Sequence, residues 1–250
     1  VTDQPKKYFV RFSSANDFDK ISDFYDLNSH KNVRKRPQEL MKQLAADGAV
    51  VLIEDEQGAI VAASITYAQK TTDKDGQDHV SWQEIGTTRA VLNGYPGLFD
   101  AMIAMQTLRA FLVEPPEKTF VAQMKTIPVQ TMAGKIGWRP MEGVPPQELL
   151  DAKRDTIDGG EVTTDHWYIC GMEALPTIAK WMEKTMDNPV LENKKTGDKI
   201  ELDFSKSTFF KMFSDEIRNL AKRDFGDIDK PDPQQNVKSR RDKWLKSFFR

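Results

Sequence analysis

Residues 82–103 read WQEIGTTRAVLNGYPGLFDAMI, and the reading of this stretch decides the fold. Its first part belongs to a strand spanning His79–Val91. Asn93-Gly94-Tyr95-Pro96-Gly97 is a turn by composition. From Leu98 to about Val113 the apolar positions leave little that faces water, so the spacing predicts a long, central, buried helix.

Toward the N-terminus, Tyr8–Phe12 reads as a strand. An amphipathic stretch with Phe18, Ile21, Phe24 and Tyr25 at helical spacing follows, with Ser14 as its N-cap. Pro37 opens a second helix carrying Leu40, Met41 and Leu44 on one side and Gly48 just past its end. Ala49–Ile53 and Ala59–Tyr67 are apolar runs around the turn Glu54–Gly58, and a second turn at Thr71–Asp78 leads into the strand at His79. Three antiparallel strands follow from this.

Toward the C-terminus, Phe120–Met124 is a strand separated from His79–Val91 by one helix, which predicts a crossover and a parallel pair. A helix from about Pro128 to Ile136 ends at Gly137, suited to a left-handed C-cap, and Trp138–Met141 begins the next strand. Residues 145–163, rich in Pro, Asp and Gly, read as an excursion before the strand His166–Cys170. Beyond Met172 come a helix at Leu175–Met186, a hairpin from Val190–Leu191 and Lys199–Phe204, and a helix with Phe209, Phe210, Phe213, Ile217 and Leu220 on one face. The expected organisation is a first domain over 1–171 and a mostly helical extension over 172–250 that ends in a basic amphipathic helix.

The order β-α-α-β-β-β-α-β-α-β-β resembles the GNAT superfamily of acyl-CoA-dependent N-acyltransferases over residues 7–171. Two local patterns carry the resemblance. Residues 82–103 look like that family's fourth strand, pyrophosphate loop and following helix. Met132-Ala-Gly-Lys135-Ile136-Gly137-Trp138-Arg139-Pro140 is similar to its helix end and re-entry into the sheet. The implied fold class is α/β (α+β), a mixed, mostly antiparallel sheet with a parallel β-α-β splay point and flanking helices.

The resemblance implies acetyl-CoA or another acyl-CoA as cosubstrate and an amine of unspecified identity as acceptor. Helix N-terminal amides are unpaired and the helix dipole favours negative charge there, so a pyrophosphate can rest on such a turn. The implied loop is Gly94, Tyr95, Gly97, Leu98 and Phe99. Gly97 stands at the loop's first required glycine, whereas Gly94 replaces a basic or glutamine position and Phe99 a second glycine or alanine. Amides of Ile85, Gly86, Thr87 and Thr88 are the candidates to polarise a thioester carbonyl, and Thr126 is the likeness of the family's helix-start position. Glu84 matches the strand carboxylate that takes a proton from the attacking amine, its other reading being a surface strand glutamate. Ala133 stands where the family places the tyrosine that protonates the departing thiolate, which leaves Tyr95 and Tyr168 as candidate acids.

Composition narrows the class. The chain has 250 residues, 39% apolar and 30% charged, with a net charge of −2. No apolar run approaches the ~20 residues of a membrane helix. Cys170 is alone, so an intrachain disulfide is ruled out, and residues 1–20 lack a secretory apolar core. A cytoplasmic location is expected; with Val1 at the start, a removed targeting segment stays open. Asp73–Asp78 fails calcium-loop spacing, and His30, His79 and His166 are scattered, so no metal site is expected.

Residues 234–250 concentrate Lys238, Arg240, Arg241, Lys243, Lys246 and Arg250 against Asp242, around Trp244, Leu245 and Phe248. Docking on the chain's own domain, or a homodimer contact, is favoured there over nucleic acid. Two functional alternatives accompany the transferase: a non-catalytic GNAT-like binding or scaffold protein, and an acyl or aminoacyl transferase acting on a peptide or nucleic acid. A different α/β fold with the same element order is the third alternative.

Overall fold

The computed structural model describes residues 4–72, 78–113, 119–159 and 161–223. Strand β1 (Lys6–Phe12) is followed by a short 3-10 turn at Ala15–Asp17, which Ser14 caps, and by α1 (Phe18–Leu27) and α2 (Gln38–Ala46). Three consecutive strands, β2 (Val50–Glu54), β3 (Ile60–Thr72) and β4 (Asp78–Ala90), pair antiparallel. Helix α3 (Leu98–Val113) then crosses over to β5 (Thr119–Gln123), which pairs parallel with β4. Helix α4 (Ile127–Lys135), β6 (Arg139–Pro140), α5 (Gln147–Asp155) and β7 (Trp167–Cys170) follow. The chain continues through α6 (Leu175–Asp187), β8 (Val190–Glu192), β9 (Lys199–Asp203) and α7 (Thr208–Ala221).

These strands form one nine-stranded sheet in the order β6-β7-β5-β4-β3-β2-β1-β9-β8. Residues 172–223 continue this sheet: β9 pairs parallel with β1, from Lys6↔Ile200 to Phe9↔Asp203, and α6 and α7 pack on each other and against α3. One core holds α3, α6 and α7 on the sheet, and a second seats α1 and α2 against β2 and β3 on the opposite face. Helix α3 is buried nearly all round because both the sheet and α6 cover it, as its apolar sequence requires.

Two features of β4 prepare a site. Its pairing with β5 covers Trp82↔Thr119, Gln83↔Phe120 and Glu84↔Val121 and then stops, although both strands continue. Its register with β3 slips where Ile65 faces Gly86 but Ala63 faces Arg89, a bulge that twists the strand away. The bulge leaves Ser64 outside the ladder; the Gln106 side chain of α3 donates to its carbonyl while accepting from Thr66 Oγ1 at 2.6 Å. A polar residue in the middle of the buried helix is thereby satisfied.

The excursion expected at 145–163 contains a helix instead. Pro146 precedes α5, whose Leu149 and Leu150 pack on Val121 and Trp167; only these few apolar residues among QELLDAKRD signalled it. The strand expected over Trp138–Met141 is two residues long, with Arg139 opposite Ile169. Gly137 is left-handed at φ 92°, as its C-cap position predicts. No helix among the described residues is long and apolar enough to cross a membrane. The basic stretch 234–250 and the turn at 73–77 lie outside the described residues.

Candidate functional site

A cavity of about 200 Å³ opens where β4 and β5 part. One wall is β4, through Ile85, Gly86, Thr88 and Arg89; the facing wall is the end of β5 and the start of α4, from Ala122 to Thr126 and Val129. Phe99 and Ile103 of α3 close it from below, and His30, Asn32 and Val33 of the α1–α2 connection lie over its mouth. Arg89 holds that connection in place by donating from Nε to the Asn28 carbonyl at 3.0 Å. Bulge and splay together expose strand backbone at Gly86–Thr88 that a regular ladder would consume.

Five of the residues singled out in the sequence line this cavity: Ile85, Gly86, Thr88, Phe99 and Thr126. Thr88 shares a 2.7 Å hydrogen bond with Ser64, and Thr126 is the N-cap residue of α4. The backbone of Thr87 lies in the same strand segment. Leu98 is buried beneath the cavity in the α3 core. Tyr168, opposite Ala122 on β7, shares its face of the sheet beside the cavity.

Gly94, Tyr95 and Gly97 are placed differently: the turn they form is not part of the cavity wall and is touched by Trp181, Leu191 and Asn193. Asn193 Nδ2 donates to the Asn93 carbonyl at 3.1 Å. Burial, then the charge of Asp198, raises the Tyr95 hydroxyl. Tyr95 therefore faces the β8–β9 hairpin, far in topology from the β4–β5 opening. Gly97 takes φ 93°, a left-handed conformation that starts α3, with Leu191 and Trp181 against it. The Asp100 carboxyl, in the first turn of α3, is pushed up to about 6 by burial, with Lys135 pulling it back.

Glu84 is not a surface glutamate; it is 1% exposed. Its carboxylate accepts from the Tyr67 hydroxyl at 2.5 Å, from Arg36 Nη2 at 3.3 Å and from Lys153 Nζ on α5. Arg36 also donates to Tyr67 Oη at 2.6 Å and to the Thr156 carbonyl at 3.0 Å, and lies over the Tyr67 ring. Burial, then the charges of Arg36 and Arg34, hold Lys153 well below the ordinary lysine range. The cluster sits directly behind the cavity wall: a Cβ on Gly86 would lie 3.0 Å from Glu84 Oε1 and 3.2 Å from Arg36 Nη2. Glycine at position 86 is what lets a buried carboxylate approach the cleft this closely.

Sequence reasoning missed Arg36, Tyr67 and Lys153, which join Glu84 from 17 to 69 residues away along the chain. One signal was present: Lys153 falls on the apolar side of α5, at helical spacing from Leu149 and Leu150. Among the described residues no group of three or more His, Cys, Asp or Glu could hold a metal ion. Cys170 is buried in β7 and its thiol is pushed up to about 12 by burial, so it behaves as a core residue.

An open, mostly antiparallel sheet with one splayed parallel pair and helices on both faces is the class of architecture in hand. Neither a family model nor a curated protein matches the chain. Among solved structures it is similar to a GNAT-superfamily phosphinothricin acetyltransferase of Sinorhizobium meliloti in complex with acetyl-CoA, at 13% identity over 65% of this chain and 88% of that one, with a TM-score of 0.45. A GNAT-family N-acetyltransferase of Escherichia coli in complex with CoA is 14% identical over 68% and 84%, with a TM-score of 0.42. The polyamine N-acetyltransferase of Drosophila melanogaster is 11% identical over 65% and 96%, with a TM-score of 0.41.

Proposed function

We propose that this chain is a GNAT-type, acyl-CoA-dependent N-acyltransferase whose donor thioester enters the opening between β4 and β5. The observation that carries this reading is the abrupt end of β4–β5 pairing after Glu84↔Val121 beside a bulge, which leaves a cleft walled by backbone at Gly86–Thr88. Such an edge suits an extended, amide-bearing arm, because strand N–H and C=O groups pair with it as with another strand. Ile85, Phe99 and Val129 supply the apolar lining.

The acyl-CoA supplies the activated thioester when bound. The chain's own contribution is to orient the carbonyl against strand amides, to exclude water, and to accept a proton from the acceptor amine. Glu84 is the group we assign to that proton, through the cluster with Lys153 and Tyr67 and by way of the Gly86 wall. Lys153, disfavoured as a cation by burial, gives the cluster room to take up a charge. Tyr168 rather than Tyr95 is the candidate to protonate the thiolate, because Tyr168 stands opposite Ala122 of the cavity wall and Tyr95 is not part of that wall.

A calorimetric titration with acetyl-CoA tests the reading. Saturation at one equivalent, with stabilisation of about 2.7 kcal/mol at a hundredfold excess over Kd, is expected. Gly86→Ala should weaken it, because the new methyl group meets Glu84 and Arg36. A flat titration of folded protein would falsify the reading.

A further inference from the structure

The cavity at the β4–β5 opening is lined by cations and by no carboxylate among the described residues. Lys125 is half-buried in its wall and makes no hydrogen bond or ion pair there. Arg89 commits Nε to the Asn28 carbonyl and lines the same cavity. Arg34, next to Val33 on the same connection, lines the neighbouring pocket and gives one bond to the Glu161 carbonyl at 2.9 Å. None of the three has an acidic partner among the described residues.

Elsewhere in the molecule arginines in comparable settings are matched: Arg11 by Asp17 and Glu54, Arg218 by Asp187 and Glu183. The buried acid Glu84 lies behind the Gly86 wall and is already paired with Arg36 and Lys153. Arg34 and Lys125 sense each other, since after burial it is Arg34 that lowers the Lys125 ammonium. The open first turn of α4, through Thr126 and Val129, adds positive field to the same volume. In a chain of net charge −2, two cations lining one cavity without an acidic partner among the described residues, and a third beside one of them, are a site.

We propose that the acceptor amine carries an oxyacid group, carboxylate or phosphate, which Lys125, Arg89 and Arg34 recognise. This rests on the transferase reading and names its substrate class. A simple cationic amine would meet repulsion at this mouth with nothing to offset it. An amine bearing an anionic group is drawn in, its oxyacid held by the guanidinium and ammonium groups. The remaining positive field then favours the neutral form of its amine, the form that attacks.

The test compares matched acceptors with and without the anion: phenylalanine against phenethylamine, glycine against methylamine, and phosphoethanolamine against ethanolamine. Turnover is read as thiol release from acetyl-CoA, and binding by calorimetry. At least one anionic member should exceed its partner by about tenfold in kcat/KM, and Lys125→Met should collapse that ratio mainly through KM for the acceptor. The carboxylate and phosphate pairs identify which oxyacid is taken. The proposal is overturned if each anionic member is equal to or worse than its partner. It is also overturned if the Lys125→Met defect appears wholly in acetyl-CoA affinity, since the cation would then serve the donor. Acetyl-CoA binding without anion preference sinks this inference and leaves the transferase reading intact. Lys125-dependent binding of an anionic probe without acetyl-CoA binding does the reverse.

Discussion

The hydroxyl of Tyr67 donates a 2.5 Å hydrogen bond to the carboxylate of Glu84, the residue directly opposite it on the neighbouring strand. That pair sits at the centre of a buried cluster with Arg36 and Lys153, so one substitution there strands the charges of the others. Glu84→Gln leaves two buried basic groups without their anion and should cost about 3–5 kcal/mol of stability by urea unfolding. Glu84→Gln combined with Lys153→Met should recover a large part of that loss, because the second change removes a group left unpaired by the first. Strict additivity of the two effects would show that the two side chains are uncoupled.

Asn193 ties the β8–β9 hairpin to the turn before α3. Besides its bond to the Asn93 carbonyl, its Oδ1 accepts from the Lys195 amide at 3.0 Å. Asn193→Ala should lower stability by about 0.5–1.5 kcal/mol. It should also weaken acetyl-CoA binding in the calorimetric titration, because the turn that starts α3 loses its brace. Asn193→Asp keeps the acceptor toward Lys195 but lacks the donor toward Asn93, and should resemble the alanine variant. Wild-type affinity in both would separate this contact from ligand binding.

Asp100 predicts a pH dependence with a definite sign. Its carboxyl titrates near 6 in the folded chain, above the ordinary value of 3.8. The folded state therefore holds the proton more tightly, and this group's contribution to stability is most favourable below about pH 4. It declines as pH rises from about 4 to about 6 and is level above that. Asp100→Asn should melt close to wild type at pH 4 and higher than wild type at pH 7. An equal difference at both values would show that the group titrates normally.

The strand, turn and helix at residues 82–113 were legible because each carries its signal locally. Gly97 starts a helix that is apolar on every side, and such a helix has to be central. The parallel pairing of β4 with β5 followed from a single intervening helix. Helix α5 was obscured because its short segment is polar or charged apart from three apolar residues, and its burial depends on Val121 and Trp167 from other strands. The turn Gly94–Gly97 is a turn as its composition predicts, but nothing near it in sequence announces that Asn193, Leu191 and Trp181 touch it.

What the chain determined by itself was therefore most of the element order, the parallel pairing of β4 with β5 across one helix, and the glycine that begins that helix. These rest on periodicity and on backbone conformations that only certain residues adopt. The tertiary structure alone decided that Glu84 is buried with Arg36, Tyr67 and Lys153, that the loop before α3 is braced by the C-terminal hairpin, and that Lys125 and Arg89 face one cavity. Those relationships join residues far apart in sequence, and ion pairing or cavity lining is a property of positions in space that no local pattern encodes.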